Sequence, residues 1–418
     1  MKKNQFLFLS IVLALVAGVF AFFGCAEQSS ESASIVLPFL FGTVSNTLIT
    51  PKAIARDALV RLQSSKVFAA LFHTDYANEF QQRGDTVTVR KPAVLTANEF
   101  STDIVPQNVT EGSVDVKLDT IADVSVEVTS KEMSLDIVDF GTQVVEGAVL
   151  GIQELIDKKC AGLYVDIPYF AGTSGDSPDS LADIAAGMVV LNRNKCPMNM
   201  RRMVIDPVAH GDLVTIDAIA GLDKSGSTDA LREASIGRIL GFDSFMSQNI
   251  KTHTAGVAPT AGTPLVNAQV LVGATTIPVK GLDGANDGVI KGDILSIGGD
   301  QYVATATVAG SGSVVAIPVY PAVVRQLEAN DAVVFPDKTA KAHTANLLFH
   351  RNAFAFVNRP LALPMGATSE NAYVASANGI AIRVVMSYDA AKKKNMISFD
   401  TLFGVKTLYP ELACRLLG

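Results

Sequence analysis

The chain contains no tryptophan, and its 418 residues include only four cysteines and five histidines. Each scarcity removes a class of chemistry. Cys25, Cys160, Cys196 and Cys414 lie too far apart for a CxxC pair and are too few to staple a chain of this length, so reduced structural thiols are expected. His73, His210, His253, His343 and His350 are scattered, with no HExxH motif and no histidine cluster beside a cysteine. His343 and His350 are seven apart and would share a face of a helix, although surface or hydrogen-bonded histidines are the commoner outcome for such a pair. The dipeptide Gly-Lys is absent, which excludes a Walker loop. No GxGxxG follows a strand, and GTSG at Gly172 to Gly175 lacks the frame of a nucleophile elbow. No pair of carboxylates sits in an apolar setting that marks a general acid and base, so no catalytic residue, cofactor or metal ligand is assigned. Positive charge is also short. The net charge is -7 and the longest basic run is Lys392, Lys393, Lys394, which argues against sequence-specific DNA binding.

What the chain does have is apolar material and turns. Hydrophobic residues make up 49%, charged residues 18%, and there are 32 glycines, the balance of a globular protein of two or three domains. Residues 1–24 carry Lys2 and Lys3 followed by the uncharged run FLFLSIVLALVAGVFAFFG, which reads as a secretory leader or short membrane span. Gly24-Cys25 loosely matches a lipoprotein processing site, with bulky Phe22 and Phe23 where small residues are usual. At Thr50-Pro51 an N-cap and a first-turn proline open an amphipathic helix through Ile54, Ala58, Leu59 and Leu62. Residues 1–43 are therefore read as either signal-like or a spurious extension ahead of a start at Val44.

Alternation of Val87 and Val89, of Val114, Val116 and Leu118, and of Val124, Val126 and Val128 predicts half-exposed antiparallel strands around a long loop. A two-stranded arm of this kind is marginal alone, so it should rest on another element. From Lys131 to Tyr164 a helical period places Leu135, Val138, Val145, Val149, Ile152, Leu155 and Ile156 on one stripe, with Asp136, Asp139, Gln143, Glu146, Gln153 and Asp157 mostly off it. Gly141, Gly147 and Gly151 suggest close packing or a bend in that helix. Ser177-Pro178 then opens a helix through Leu181 and Leu191, MRRMVIDP reads as a buried strand, Asp206-Pro207 caps a third helix, and a fourth lies near 228–240.

After a Gly, Ala, Thr and Pro linker at 251–269, short Val and Ile segments predict a small barrel over residues 268–337. Within it LDGANDGVIKGD fails the calcium-loop register at Ala285 and reads as a plain turn. ANLLFHRNAFAFVNRPLALP predicts a helix followed by a strand, and IAIRVVMSYD and KNMISFDTLFGVKTLYPELACRLL predict long strands joined at AAKKKN.

The order of these pieces resembles the major capsid (coat) proteins of tailed bacteriophages, in the branch whose shell protein carries an inserted β domain. The resemblance is carried by NTLITPKAIARDAL, RGDTVTVRKP, GIQELIDKKCAGLY, RRMVIDPVAHGDL, IGRILGFDSFMSQNIKTHTAG and FHRNAFAFVNRPL, spanning about residues 44–418. It implies an α+β fold with an N-terminal arm (44–84), an extended loop (85–129), a long spine helix (130–165), a peripheral domain (166–240), an axial domain (241–267 and 338–418) and the inserted β domain (268–337). It further implies a non-enzymatic structural protein of the virion. Copies would assemble as hexamers and pentamers of an icosahedral shell with a scaffolding protein and a portal protein, around double-stranded DNA bound without sequence preference. The inserted domain would aid monomer folding and contacts between capsomers. Arg83, Lys91, Glu99, Asp103, Glu111, Asp136, Asp139 and Glu146 are the assembly candidates. A rival reading rests on residues 1–25 alone: a membrane-tethered, lipoprotein-like surface binding protein using its β domain to recognise a ligand.

Overall fold

A computed structural model describes residues 54–58, 60, 68–74, 86–91, 108, 112–129, 145–221, 229–256, 263–282, 288–310, 314–338, 342–366, 368, 371–377 and 380–418. The signal-like segment and the Thr50-Pro51 cap lie outside them. Among the described residues no helix is long and apolar enough to cross a membrane.

The alternating valines fold as expected. β1 (Thr86–Lys91) and β2 (Gly112–Lys117) pair antiparallel from Thr86↔Lys117 to Lys91↔Gly112. This ribbon buries Val89, Val116 and Leu118 against Ala355, Val357 and Leu408, so it does rest on a larger body. β3 (Thr120–Thr129) turns Ala122 and Val128 inward, leaving Ile121, Asp123, Ser125 and Glu127 exposed, and runs antiparallel along β21 (Lys394–Thr407) over ten residue pairs. β21 also pairs with β18 (Phe354–Arg359) and β20 (Ile380–Asp389), and β20 with β19 (Ala372–Ala377). The turn between β20 and β21 falls at AAKKKN as the charge run predicts.

The helix Glu146–Ala161 lies on this sheet, and at 1.5 Å per residue its 16 residues span about 24 Å. Val145, Val149, Ile152 and Ile156 form its buried stripe, but two assignments change. Leu155 is 36% exposed, at the edge of the stripe. Asp157 is buried instead and accepts the Phe68 N–H at 3.2 Å, holding the short helix Phe68–Leu71 against the long one. Glycine is not needed for tight contact here, because a Cβ at Gly147 meets open space and one at Gly151 meets Val124 at an ordinary 3.6 Å. Leu135, Val138 and Gly141 lie outside the described residues.

A third sheet runs β4 (Phe170–Ala171), β22 (Ala413–Leu417), β17 (Ala342–His350), β5 (Arg201–Ile205), β7 (Phe242–Met246), β6 (Arg238–Ile239), with β8 (Thr252–Thr254) also on β17. Met203, Val204 and Ile205 are fully buried, as MRRMVIDP implies. The preceding helix begins at Leu181 rather than at Ser177-Pro178, because Ser180 and Asp183 form the capping box. Asp206 caps Pro207–Val214 as predicted, accepting from Val208 and Ala209 N–H at 3.3 Å each. Asp206→Ala is expected to lower stability by about 1 kcal/mol, measured by urea unfolding. The helix expected near 228–240 is only Asp229–Glu233, and its tail becomes β6. The predicted ANLLFH helix is β17, a strand buried from Ala345 to His350 between β22 and β5, where no polar face remains to reveal its period.

Between β8 and β17 the chain builds a separate sheet in the order β16 (Val333–Val334), β12 (Ile294–Ile297), β13 (Asp300–Ala304), β15 (Val314–Tyr320), β10 (Thr276–Lys280), β9 (Leu265–Val266). Its ends join. Val266 N–H donates to Asp331 O and Val333 N–H to Pro264 O, each at 2.9 Å, closing the sheet around Ile277, Val279, Ile297, Tyr302, Ile317 and Leu327. A two-stranded pair, β11 (Gly288–Val289) with β14 (Val308–Ala309), flanks it. QVLVG, expected as a strand, makes only the isolated bridge Val270↔Leu327.

Candidate functional site

The closed sheet is spliced into the chain between two strands that pair with each other. β8 and β17 run antiparallel with His343 directly opposite His253, so the chain leaves and re-enters the main fold at neighbouring points. Cross-strand partners share a face. Both imidazoles therefore point the same way, and their ring centres lie 5.2 Å apart.

Around this neck gathers a cluster of buried polar side chains. From the main fold come Tyr164, just after the long helix, and Arg415 on β22; from the closed sheet come Asp293, which precedes β12, and Asp337, which follows β16. Tyr164 Oη lies 3.0 Å from His253 Nδ1, and His253 Nε2 lies 2.9 Å from Asp293 Oδ1 and 3.8 Å from Asp337 Oδ2. Backbone groups fix both carboxylates. Asp293 accepts from Ile290 N–H at 2.9 Å and from Gly256 N–H, and Asp337 accepts from Ile294 N–H at 3.0 Å. Arg415 donates through Nη1 to Gly292 O at 2.7 Å and lies over the Tyr164 ring, 5.3 Å from its centre. Gly292 is required at that point: its φ is +100°, and a Cβ would press within 3.1 to 3.3 Å of Val165 and His253.

Burial sets the electrostatics. Asp337 is completely enclosed, and burial together with the nearby Asp293 charge raises its pKa to about 6. Burial lowers His343 to about 3, with His253 and Arg415 adding to the effect, so its imidazole is neutral. Arg415 falls to about 10 by burial, opposed by Asp337, Tyr164 and Asp293, and stays charged at neutral pH.

None of these six residues stood out in the sequence as a group: Asp337 and His343 are six positions apart, and every other successive pair is separated by 40 or more. Residues 283–287 of LDGANDGVIKGD lie outside the described residues, but its final Asp293 is the buried anchor that a register test against calcium loops passes over. His343 and His350 do not act together. On a strand an offset of seven puts them on opposite faces, and His350 instead accepts from Asn352 N–H at 3.2 Å.

Of the assembly candidates, Glu146 begins the long helix, half-buried, and Lys91 ends β1. Arg83, Glu99, Asp103, Glu111, Asp136 and Asp139 lie outside the described residues. Cys160, Cys196 and Cys414 are buried free thiols. On the α/β unit Met198, Met200, Val208, Leu240, Phe245 and Met246 are exposed, between 38% and 70%.

No protein-family model and no curated protein sequence matches this chain. Several solved structures are similar to it, and phage capsids are among them. A structure titled Mycobacterium phage Che8 has a TM-score of 0.48 at 14% identity, covering 84% of this chain and 90% of that one. The asymmetric unit of the bacteriophage PhiM1 mature capsid has a TM-score of 0.47 at 10% identity, covering 94% and 90%. A virus-like particle from Pyrococcus furiosus has a TM-score of 0.39 at 9% identity, covering 87% and 97%.

Proposed function

We propose that this chain is a structural subunit of an icosahedral virion shell, a major capsid protein of the tailed-phage type, rather than an enzyme. The observation that carries the reading is the order in which the chain builds its parts. A two-stranded ribbon comes first, then a helix laid along a sheet of long strands, then an α/β unit, then a closed sheet inserted between paired neighbours, and last a return to the long strands. This order supports reading the ribbon as part of the extended loop (85–129), the helix as the spine, the α/β unit as the peripheral domain and the closed sheet as the insertion, the succession that the sequence resemblance implies after the arm at 44–84.

The physical chemistry is compatible with this role. A shell subunit works through large matching surfaces between copies. The ribbon β1–β2 offers edges and a loop that can reach a neighbour, with Lys91, Glu99, Asp103 and Glu111 as its charged contacts. The α/β unit exposes six large apolar side chains that a neighbouring copy would cover. In this reading copies close as hexamers and pentamers with a scaffolding and a portal protein, and enclose double-stranded DNA without reading its sequence. The inserted sheet has its own core and serves monomer folding and contacts between capsomers.

Sedimentation of the chain produced together with the products of its neighbouring genes tests the proposal. Large, uniform particles are expected. A protein that stays monomeric with those products present, or that partitions to membranes as the lipoprotein-like rival requires, would overturn it.

A further inference from the structure

We propose that the neck of the inserted sheet is a divalent metal site of the zinc class, with His253, Asp293 and Asp337 as its three protein donors and a water completing the tetrahedron. Three observations lead there. First, one ligand atom each from His253, Asp293 and Asp337 lies within 4.8 Å of the other two. Tetrahedral zinc with bonds near 2.0 to 2.1 Å sets its ligands roughly 3.3 Å apart, and the 2.9 and 3.8 Å separations from His253 Nε2 bracket that value.

Second, buried donors are left over. Asp337 is fully enclosed, yet its Oδ1 has no hydrogen-bond partner. His343 is 1% exposed and neither ring nitrogen has one. An unpartnered buried polar atom costs about 1–3 kcal/mol, and groups of them mark a place where a water or ion belongs.

Third, an outer layer already orients the donors. Tyr164 Oη can accept from His253 Nδ1–H, which leaves Nε2 free to ligate, while Gly256, Ile290 and Ile294 N–H groups hold the carboxylates. Because His253 stands on the strand entering the insertion and the carboxylates belong to the insertion itself, the ion would tie the two together. This inference does not depend on the shell reading.

The test uses the full chain, stripped with chelator and then given Zn2+ alone. Expected are about one zinc per chain by elemental analysis and a raised Tm. Binding should weaken by roughly 10-fold or more in Asp337→Asn and in His253→Ala, the range typical for disturbed metal sites. Cobalt(II) added to the unaltered chain gives a readout independent of how the variants fold: the intense visible absorption of a tetrahedral centre is expected. No retained zinc, an unchanged Tm, the weak spectrum of six-coordinate cobalt, or binding unaltered in both variants would each overturn the proposal, an ordered water then filling the gap.

Discussion

In the metal-free chain Arg415→Met is expected to lower the unfolding free energy by about 3–5 kcal/mol, the range for removing one partner of a buried charge cluster. The side chain is fully buried on β22, and its neighbours Asp293 and Asp337 are buried too, so losing the cation leaves two carboxylates facing each other in a dry enclosure. The Gly292 carbonyl also loses its 2.7 Å donor. Denaturant unfolding followed by circular dichroism checks the size of the loss. Adding Asp337→Asn should restore part of it, because the second change removes one of the stranded charges. A single-variant loss under about 1 kcal/mol would mean that water already screens the cluster.

Gly404→Val should detach the ribbon from the long sheet while leaving the sheet itself folded. A Cβ at position 404 would lie 2.1 Å from the Lys117 carbonyl oxygen and 2.9 Å from its carbon, and both are backbone atoms with little room to move. Overpacking costs typically about 1–3 kcal/mol, and the upper end is expected here because the obstacle is a strand and not a flexible side-chain tip. Val89, Val116 and Leu118 would lose their cover on Ala355, Val357 and Leu408, whereas β21 keeps its pairing with β3 and β20. Limited proteolysis should therefore cut between residues 86 and 117 far faster in the variant, with Gly404→Ala showing the same direction. An unchanged cleavage pattern would show that the ribbon shifts without releasing.

The sequence made some of this legible and hid the rest for physical reasons. β3 was readable because one face meets the helix and the other meets water, so its valines alternate with Asp123, Ser125 and Glu127. The Asp206-Pro207 cap was readable because capping is local chemistry. β17 was misread as helix because both its faces are buried, which erases any period. Asp157 was assigned to the solvent side of its helix because nothing local signals that Phe68, 89 residues away, would bring it a backbone donor. The neck was invisible for the same reason on a larger scale: strand pairing across an insertion sets His253 opposite His343, and no spacing in the chain encodes that.

Cryo-electron microscopy of the particles formed by this chain and its neighbouring gene products bears most directly on the shell reading. The account predicts closed icosahedral particles in which the β1–β2 ribbon of each copy lies over an adjacent copy and the exposed methionines and Phe245 of the α/β unit are covered. Particles lacking this chain, or containing it only as an isolated monomer decoration with the ribbon folded back on itself, would contradict it.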